Sequence, residues 1–177
     1  MKLKIKVKVL TEGCMPVVLP QGDWIDLRAA ENVELKAPQS ETLKTKSVNG
    51  VEEKYRNVSF SSKLVKLGVA MSLPEGFEAE LKGRSSLTRR HNVFMTCSGV
   101  IDNSYKGNSD EWLINLTAIG DCFIEKGSRI AQFRIVPNQK ATMWQKIKWL
   151  LSSGVELVQV DDLGDNNRGG LGSTGIK

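Results

Sequence analysis

Short apolar or alternating segments recur along the chain, and turn residues separate most of them. The first, from residue 2 to residue 9, alternates lysine with leucine, isoleucine or valine, the period of a strand with one buried and one solvated face. Further runs lie at residues 17–19, 33–35, 65–71, 77–81, 93–97, 112–119, 130–136 and 155–160. Many short strands with few helix candidates favour a sandwich, jelly roll or barrel. The pattern therefore predicts an all-β protein.

A polar segment at about 36–58 interrupts this rhythm. Within it Asn49-Gly50 stands between Val48 and Val51, and Asn-Gly is a strong signal for a two-residue hairpin turn. We therefore expect an insertion that contains two ribbon strands.

A second interruption, at about 142–153, has apolar side chains at helical spacing. Thr142 is a candidate cap at its start, and Gly154 is a candidate end. The spacing predicts one short amphipathic helix. Its tryptophans, Trp144 and Trp149, belong either in the core or at an interface, and the core is the commoner place for this residue.

The composition changes again after Asp161. Residues 162–177 are rich in glycine and carry little that could be buried, and such a tail is expected to be mobile when alone. The predicted organisation is a β domain over residues 1–161 followed by a flexible C-terminal arm over 162–177.

Length, charge and cysteine usage restrict the function classes. The chain has 177 residues, enough for one domain, and no apolar run approaches the roughly 18 residues of a membrane span. The net charge is +5, but without the four lysines of residues 2–9 it is +1, so the charge does not indicate nucleic-acid binding. Cys14, Cys97 and Cys122 have no paired spacing, which is typical of a reducing cytoplasm, that of a host cell if the source is viral.

Two stretches carry groups suited to phosphate. In the glycine-rich tail, Arg168 offers a planar fork for phosphate oxygens, and Ser173 and Thr174 add hydroxyl donors. The alternative is a disordered tail without a ligand. Residues 83–87 read Gly-Arg-Ser-Ser-Leu, again an arginine beside two hydroxyls. The alternative there is a strand-to-helix junction with a capping serine and a solvated arginine.

A third stretch, residues 98–107, reads as a β-hairpin with Asp102 and Tyr105 near its tip. A carboxylate held there could deprotonate water, and a tyrosine ring could lie against a sugar. The alternative is an aspartate chosen for the turn itself.

Taken in order, residues 83–87, 98–107 and 168–175 resemble the second, third and fifth signature motifs of the trimeric dUTPase family. Residues 126–132 resemble the fourth motif and residues 23–30 the first. The first motif departs from the family pattern at Asp23-Trp24, where a small residue and glycine are usual. The fifth departs at Leu171, where an aromatic is usual.

The resemblance implies an all-β fold of the dUTPase type, a distorted jelly roll or β-barrel with one short helix and a flexible C-terminal arm. It also implies a homotrimer whose active sites are assembled from all three chains. The implied reaction is hydrolysis of dUTP to dUMP and pyrophosphate, with Asp102 activating water for attack on the α-phosphorus. The implied cofactor is Mg²⁺, which bridges the phosphates and is held by Asp26 through water.

The remaining site residues follow from the same resemblance. Gln132 and Ser85 join Asp102 in the predicted catalytic set, and Arg84 and Ser86 would help to hold the phosphates. The hairpin backbone at Gly99 and Ile101 would pair with uracil, and Tyr105 would pack on the deoxyribose. The arm would close over the nucleotide through Arg168, Leu171, Gly172, Ser173 and Thr174.

Two alternative functions use the same fold. A dCTP deaminase also carries Gly-Arg-Ser-Ser-Leu, but the position of its catalytic glutamate corresponds to Trp112 here, with Asp110 and Glu111 beside it. A tryptophan cannot shuttle protons, which argues against deamination. The other alternative is a nucleotide-sensing regulatory protein, which would bind dUTP without releasing pyrophosphate. The sequence names no protein partner.

Overall fold

The computed structural model describes residues 1–169, and within them the chain forms sixteen strands and two short helices. The predicted arm residues Leu171, Gly172, Ser173 and Thr174 lie outside the described residues. The strands are β1 Leu3–Val9, β2 Val17–Val18, β3 Ile25–Arg28, β4 Val33–Leu35, β5 Gln39–Ser40, β6 Lys44–Val48, β7 Val51–Tyr55, β8 Val58–Ser59, β9 Ser62–Ser72, β10 Phe77–Gly83, β11 Val93–Met95, β12 Gly99–Ile101, β13 Glu111–Ala118, β14 Cys122–Ile124, β15 Arg129–Pro137 and β16 Val155–Gln159. The helices are α1 Leu87–His91 and α2 Met143–Leu150.

Two five-stranded sheets form the body of the molecule. One has the order β11-β13-β9-β1-β16 and the other the order β12-β10-β15-β3-β2. A single apolar cluster contains buried side chains of both sheets, and the rings of Trp112 and Phe133 meet edge to face across it at 4.9 Å. The all-β prediction is confirmed. Within residues 1–169 neither sheet closes on itself, so the arrangement is a two-sheet sandwich and not a barrel.

The N-terminal strand follows its sequence pattern closely. Leu3, Ile5 and Val7 are buried, whereas Lys4 and Lys6 between them are exposed. β1 pairs with β9 on one side and, in parallel, with β16 on the other. The alternation therefore reflects one buried face of a strand inside the sheet.

The polar segment 36–58 contains the expected hairpin. β6 and β7 pair through Val48 and Val51, and Asn49 and Gly50 between them both have positive φ, 52° and 79°, as a two-residue hairpin turn of the primed type requires. Nearly every side chain of the two strands is exposed. The hairpin is therefore an outward ribbon that adds little to the core.

The helix predicted around 142–153 is shorter than its spacing suggested. In α2, the Thr142 side chain accepts a hydrogen bond from the backbone N–H of Gln145, and the Gln145 side chain accepts one from the backbone N–H of Thr142. The C-terminal cap is Leu151 rather than Gly154. No side chain of α2 is buried, and Trp144 is 79% exposed. The core placement of the tryptophans was therefore wrong, because helical spacing indicates an apolar face but not what covers it. None of the described helices is long and apolar enough to cross a membrane.

The structure has a second helix, α1. It begins at the end of residues 83–87, for which the sequence analysis offers a strand-to-helix junction only as the alternative interpretation. It has five residues, with Ser86 at its N-terminus and Asn92 in the left-handed conformation at its end. The single predicted helix is thus corrected to two, since five residues are too few to show a helical period in the sequence.

The segment after Asp161 is packed where it is described. Leu163 is 2% exposed, and its backbone N–H donates to Asn108 Oδ1 at 3.0 Å. The Asn108 side chain also donates to Asp162 Oδ1 at 2.6 Å. Residues 162–169 therefore lie against the loop before β13, in contrast to the flexible arm expected to begin at residue 162.

Candidate active site

The first cluster joins the Gly-Arg-Ser-Ser stretch to the strands beside it. Arg84 follows the last residue of β10, and its Nε lies 3.1 Å from Asp26 Oδ1. Arg129 Nη1 lies 3.1 Å from Asp26 Oδ2. Gln132 faces Asp26 across the pairing of β15 with β3. The two arginines outnumber the one carboxylate, so the cluster keeps a net positive charge suited to an anion.

The two serines stand next to this cluster. Ser86 occupies the cap position of α1, but its side chain makes no capping hydrogen bond, so the capping alternative does not account for its hydroxyl. Ser85 is exposed. With Arg84 it lines an open pocket of about 280 Å³, whose other lining residues are Lys82, Gly83, Leu87, Thr88, Phe94, Met95, Cys97 and Ser98.

The second cluster forms at the tip of the predicted hairpin. Gly99 and Ile101 belong to β12, which pairs with β10 through Leu81 and Ala79, and Asp102 follows directly. The side chain of Asp102 is 54% exposed, and its Oδ2 lies 2.6 Å from Arg168 Nη1. The structure therefore brings together an exposed carboxylate and the arginine of the tail.

Asn103 fixes this tip, a role that nothing in the sequence predicts. Its Nδ2 lies within hydrogen-bonding distance of the backbone oxygens of Leu73, Pro74 and Phe77, at 3.4, 2.7 and 3.0 Å. Leu73 and Pro74 precede β10, and Phe77 is its first residue. The amide therefore ties the residue after Asp102 to a rigid element.

Tyr105 turns its hydroxyl toward the protein. Its Oη donates to the Glu111 backbone oxygen at 2.8 Å, and its ring packs against the core cluster. Burial, followed by the charges of Asp110 and Glu111, raises the pKa of Tyr105 above its ordinary value. The phenol is held in its neutral, donating form.

Asp110 is the functional candidate that sequence reasoning missed, having considered it only as a neighbour of Trp112. It is 1% exposed, and its carboxylate accepts hydrogen bonds from the backbone N–H groups of Gly107, Arg168 and Gly169 at 2.8, 2.9 and 3.2 Å. It therefore holds the beginning of the tail beside Asp102.

The two clusters lie at opposite ends of one strand. Ile101 is opposite Ala79, and Gly83 is four residues further along β10, about 13 Å at the rise of a strand. Asp102 and Arg84 lie beyond these two ends. One chain therefore does not bring its exposed carboxylate and its arginine pair together.

The structure argues against the alternative function as a dCTP deaminase. Trp112 is fully buried and packs on Phe133. Of its acidic neighbours, Asp110 binds backbone amides, and Glu111 accepts from the Gly68 backbone N–H at 3.0 Å. None of the three is placed as a free proton shuttle.

The carboxylate of Asp26, the predicted magnesium ligand through water, is engaged by two arginines in this structure. Each of its oxygens is bound to an arginine, and its side chain is 4% exposed. Among residues 1–169 no group of three acidic, histidine or cysteine side chains is arranged to hold a metal. The metal role of Asp26 stays a prediction, and what the structure adds is its ion pairs with Arg84 and Arg129.

The molecule is thus a two-sheet β sandwich that carries an arginine pair on one buried carboxylate and, apart from it, an exposed carboxylate. The family model for dUTPase matches residues 51–149. The SPbeta prophage-derived deoxyuridine 5'-triphosphate nucleotidohydrolase of Bacillus subtilis (strain 168) is 42% identical over 177 residues, 99% of this chain and 100% of that relative. The deoxyuridine 5'-triphosphate nucleotidohydrolase of Rickettsia prowazekii (strain Madrid E) is 37% identical over 117 residues, 66% of this chain and 70% of that protein. The chain therefore belongs to the dUTPase family, the dUTP diphosphatases.

Solved structures agree on the fold. The dUTPase from Streptococcus mutans superposes with a TM-score of 0.58 at 20% identity, covering 77% of this chain and 98% of that one. The dUTPase from phage phi11 of Staphylococcus aureus gives 0.57 at 21% identity, covering 78% and 93%. The jelly-roll fold predicted from the resemblance is thereby confirmed.

Proposed function

We propose that the protein hydrolyses dUTP to dUMP and pyrophosphate, with Asp102 as the base. The carboxylate takes a proton from water as the water oxygen bonds to the α-phosphorus. The bond from that phosphorus to the α,β-bridging oxygen breaks, and pyrophosphate leaves with the electron pair. The observation that carries the proposal is the exposed Asp102 carboxylate on a hairpin tip secured by Asn103.

The arginine cluster is proposed to bind the triphosphate. Arg84 and Arg129 are held in place by Asp26, and preorganised donors stabilise phosphate charge without reorganising during the reaction. Ser85, Ser86 and Gln132 stand beside them as donors. Arg168 is proposed to reach the β and γ phosphates with the arm residues Ser173 and Thr174.

Uracil is proposed to pair with the backbone of β12. β12 is an edge strand, bonded to β10 on one side only among the described strands, so its other side offers backbone donors and acceptors to a base. Cytosine presents the opposite pattern and would leave polar groups unpaired, at about 1–3 kcal/mol each. Tyr105 is proposed to exclude a 2′-hydroxyl, its ring fixed by the bond to Glu111.

Magnesium is proposed to enter with the nucleotide, so that the substrate is the magnesium complex of dUTP. In support of this, the Asp26 carboxylate already binds Arg84 and Arg129, and its predicted contact with the ion would run through water. A mutant dUTPase of phage phi11 is described as revealing the coordination of a structural Mg(II) ion.

A homotrimer with shared sites is proposed because the clusters of one chain stay apart. A second copy could bring its Arg84 cluster to the Asp102 of the first. Large apolar side chains are available to cover such contacts: Phe60, Phe94, Val100, Ile119 and Phe123 are between 38% and 59% exposed. Contiguous exposed apolar patches mark association sites, and these side chains are proposed to lie in such contacts.

The experiment that tests the function is pyrophosphate release from dUTP, dTTP, dCTP and UTP with and without Mg²⁺. We expect rapid release from dUTP only, abolished by chelation. Comparable turnover of dCTP, or formation of dUTP from dCTP, would contradict the proposal. Binding of dUTP without pyrophosphate release would instead identify a sensor.

A further inference from the structure

The ring of Trp24 carries two cations. Lys82 Nζ lies 5.4 Å from the ring centroid, and the guanidinium carbon of Arg134 lies 5.0 Å from it, both within the range of a cation–π contact. Trp24 stands at the departure from the first motif, where glycine is usual. Because a glycine has no side chain to make either contact, the departure itself adds this stack to the molecule.

The two cations differ in how their charge is balanced. Arg134 Nε lies 2.9 Å from Glu80 Oε2. Lys82 forms no ion pair within the part of the chain that the structure describes, and it is exposed. The ring therefore holds an ammonium group whose positive charge remains available to an anion.

The register of the sheet places Lys82 on the face of the arginine cluster. Lys82 is directly opposite Gln132 in the pairing of β10 with β15, and Gln132 is directly opposite Asp26 in the pairing of β15 with β3. Directly opposite residues project from the same face of a sheet. Since β15 lies between β10 and β3, Lys82 reaches Trp24 across β15. Its ammonium group therefore shares the face on which Asp26 holds the arginine pair.

The pocket at the arginine cluster includes the same lysine. Lys82 lines it together with Arg84 and Ser85. Two arginines on one carboxylate leave one excess positive charge, and Lys82 raises this excess to two. A polyphosphate carries its negative charge along a chain, so a further cation on the same face suits its outer phosphates.

We propose that Lys82 is a further phosphate-binding residue for the triphosphate and that Trp24 is its positioning residue. The ring restrains a flexible four-carbon side chain, so less conformational entropy is lost when phosphate binds. The inference rests on the proposed function only in taking dUTP as the natural ligand. Phosphate binding itself is measurable without turnover, with the magnesium complex of inorganic tripolyphosphate as the probe.

The first test compares Lys82→Met, which keeps an unbranched stem without the charge, with the parent. We expect the dissociation constant for tripolyphosphate, measured by calorimetry, to rise by about ten-fold, because a contact between charged groups is lost. The KM for dUTP should rise by a similar factor while kcat stays within about two-fold, because the contact is made equally in the ground state and the transition state. Both effects should shrink at higher ionic strength, since salt screens exposed charges.

Two further lysine variants serve as controls. Lys82→Arg should bind tripolyphosphate nearly as the parent does, because arginine keeps the charge and also stacks on aromatic rings. Lys4→Met removes the charge of an exposed lysine on β1, in the other five-stranded sheet. It should leave the dissociation constant and the KM as in the parent.

Trp24→Leu and Trp24→Phe test the positioning role. Loss of the ring should raise the dissociation constant for tripolyphosphate by about three-fold, whereas phenylalanine keeps an aromatic face and should stay near the parent. If Trp24 acts through Lys82, Trp24→Leu should cause little further loss in the Lys82→Met background. Parent-like binding by Trp24→Leu, or a full additional loss in the double variant, would overturn the positioning role.

The phosphate-binding role has its own contrary result. Parent-like binding of tripolyphosphate by Lys82→Met, or no binding of tripolyphosphate by the parent, would overturn it. Failure of the parent to release pyrophosphate from dUTP would instead count against the proposed function, while the tripolyphosphate measurements would still decide the role of Lys82.

Discussion

At the scale of single residues, Asp26 shows how one buried carboxylate can hold both arginines of the proposed phosphate site. It is nearly inaccessible and is shared by Arg84 and Arg129. Neither guanidinium could hold its direction in open solvent as well as it does against a buried partner. Asp26 thus converts two long side chains into a fixed pair of donors.

Removal of this partner should cost stability. We expect Asp26→Ala to lower the free energy of unfolding by about 3 kcal/mol, because two partly buried arginines lose their counter-charge. Glu80→Ala is the control, since Glu80 pairs with Arg134 near the surface, and exposed pairs contribute at most about 1 kcal/mol. Denaturant titration of both variants measures the difference, and equal losses would argue against a special role for Asp26.

Tyr105 gives a prediction in alkaline solution. Its pKa in the folded protein is raised above the ordinary value of 10.0, mainly by burial. Its contribution to stability is therefore complete below the ordinary pKa and is lost as the pH rises through the higher folded value. Tyr105→Phe should be less stable at neutral pH by about 1 kcal/mol, because its hydrogen bond to Glu111 is gone, and should decline less steeply above pH 10.

The prediction is tested by measuring the free energy of unfolding of the parent and of Tyr105→Phe over the alkaline range. Tyr55→Phe, on the exposed hairpin, should decline like the parent. A parallel decline of the parent and Tyr105→Phe would show that another group governs alkaline stability.

Single residues also mark the limit of sequence analysis. Arg84, Asp102 and Arg168 stand in recognisable motifs, so they could be proposed as site residues from the sequence. Asp110 and Asn103 could not, because their partners lie far along the chain: Arg168 is 58 residues from Asp110, and Pro74 is 29 from Asn103. Only the fold brings these pairs together.

At the scale of elements, the sequence predicts the conformation correctly where that conformation depends on residues adjacent in the chain. The alternation in β1 and the Asn49-Gly50 turn are such cases. The predictions that were wrong concern what packs against an element. α2 was found by its spacing, yet its tryptophans are not in the core. Composition suggested a loose segment after Asp161, but hydrogen bonds to Asn108 and Asp110 hold residues 162–169.

The exposed ribbon of β6 and β7 yields a prediction at this scale. Replacing residues 44–55 by Gly-Gly removes two strands with almost no buried side chain, so the melting temperature and dUTP turnover should stay close to those of the parent. Thermal denaturation and pyrophosphate release on the same sample check this. A loss of turnover with an intact fold would mean that the ribbon contacts another copy near the site.

At the scale of the whole molecule, the distance between the two clusters has a direct consequence. If Arg84 and Asp102 act in one site, they come from different copies, as a heterologous closed assembly allows. Sedimentation should give three times the chain mass of 19.6 kDa. A monomer with full activity would contradict shared sites.

Mixed assemblies test sharing more sharply. Asp102→Asn and Arg84→Ala should each be nearly inactive alone, but co-expressed in equal amounts they should recover about one quarter of parent activity, because about one site in four would combine two intact contributions. Mixing Asp102→Asn with a second preparation of itself is the control and should recover nothing. Mixed trimers without recovery would place both residues in sites of a single chain.

Asp102 is proposed to activate the attacking water, and the turnover of Asp102→Asn, measured together with its affinity for dUTP, tests this role. Loss of the base should lower turnover by about 10²–10⁴-fold, while calorimetry should show dUTP binding retained, because the arginine cluster is intact. Asp121→Asn, at an exposed loop, should behave as the parent in both measurements. A folded Asp102→Asn protein with near-parent turnover would contradict the account.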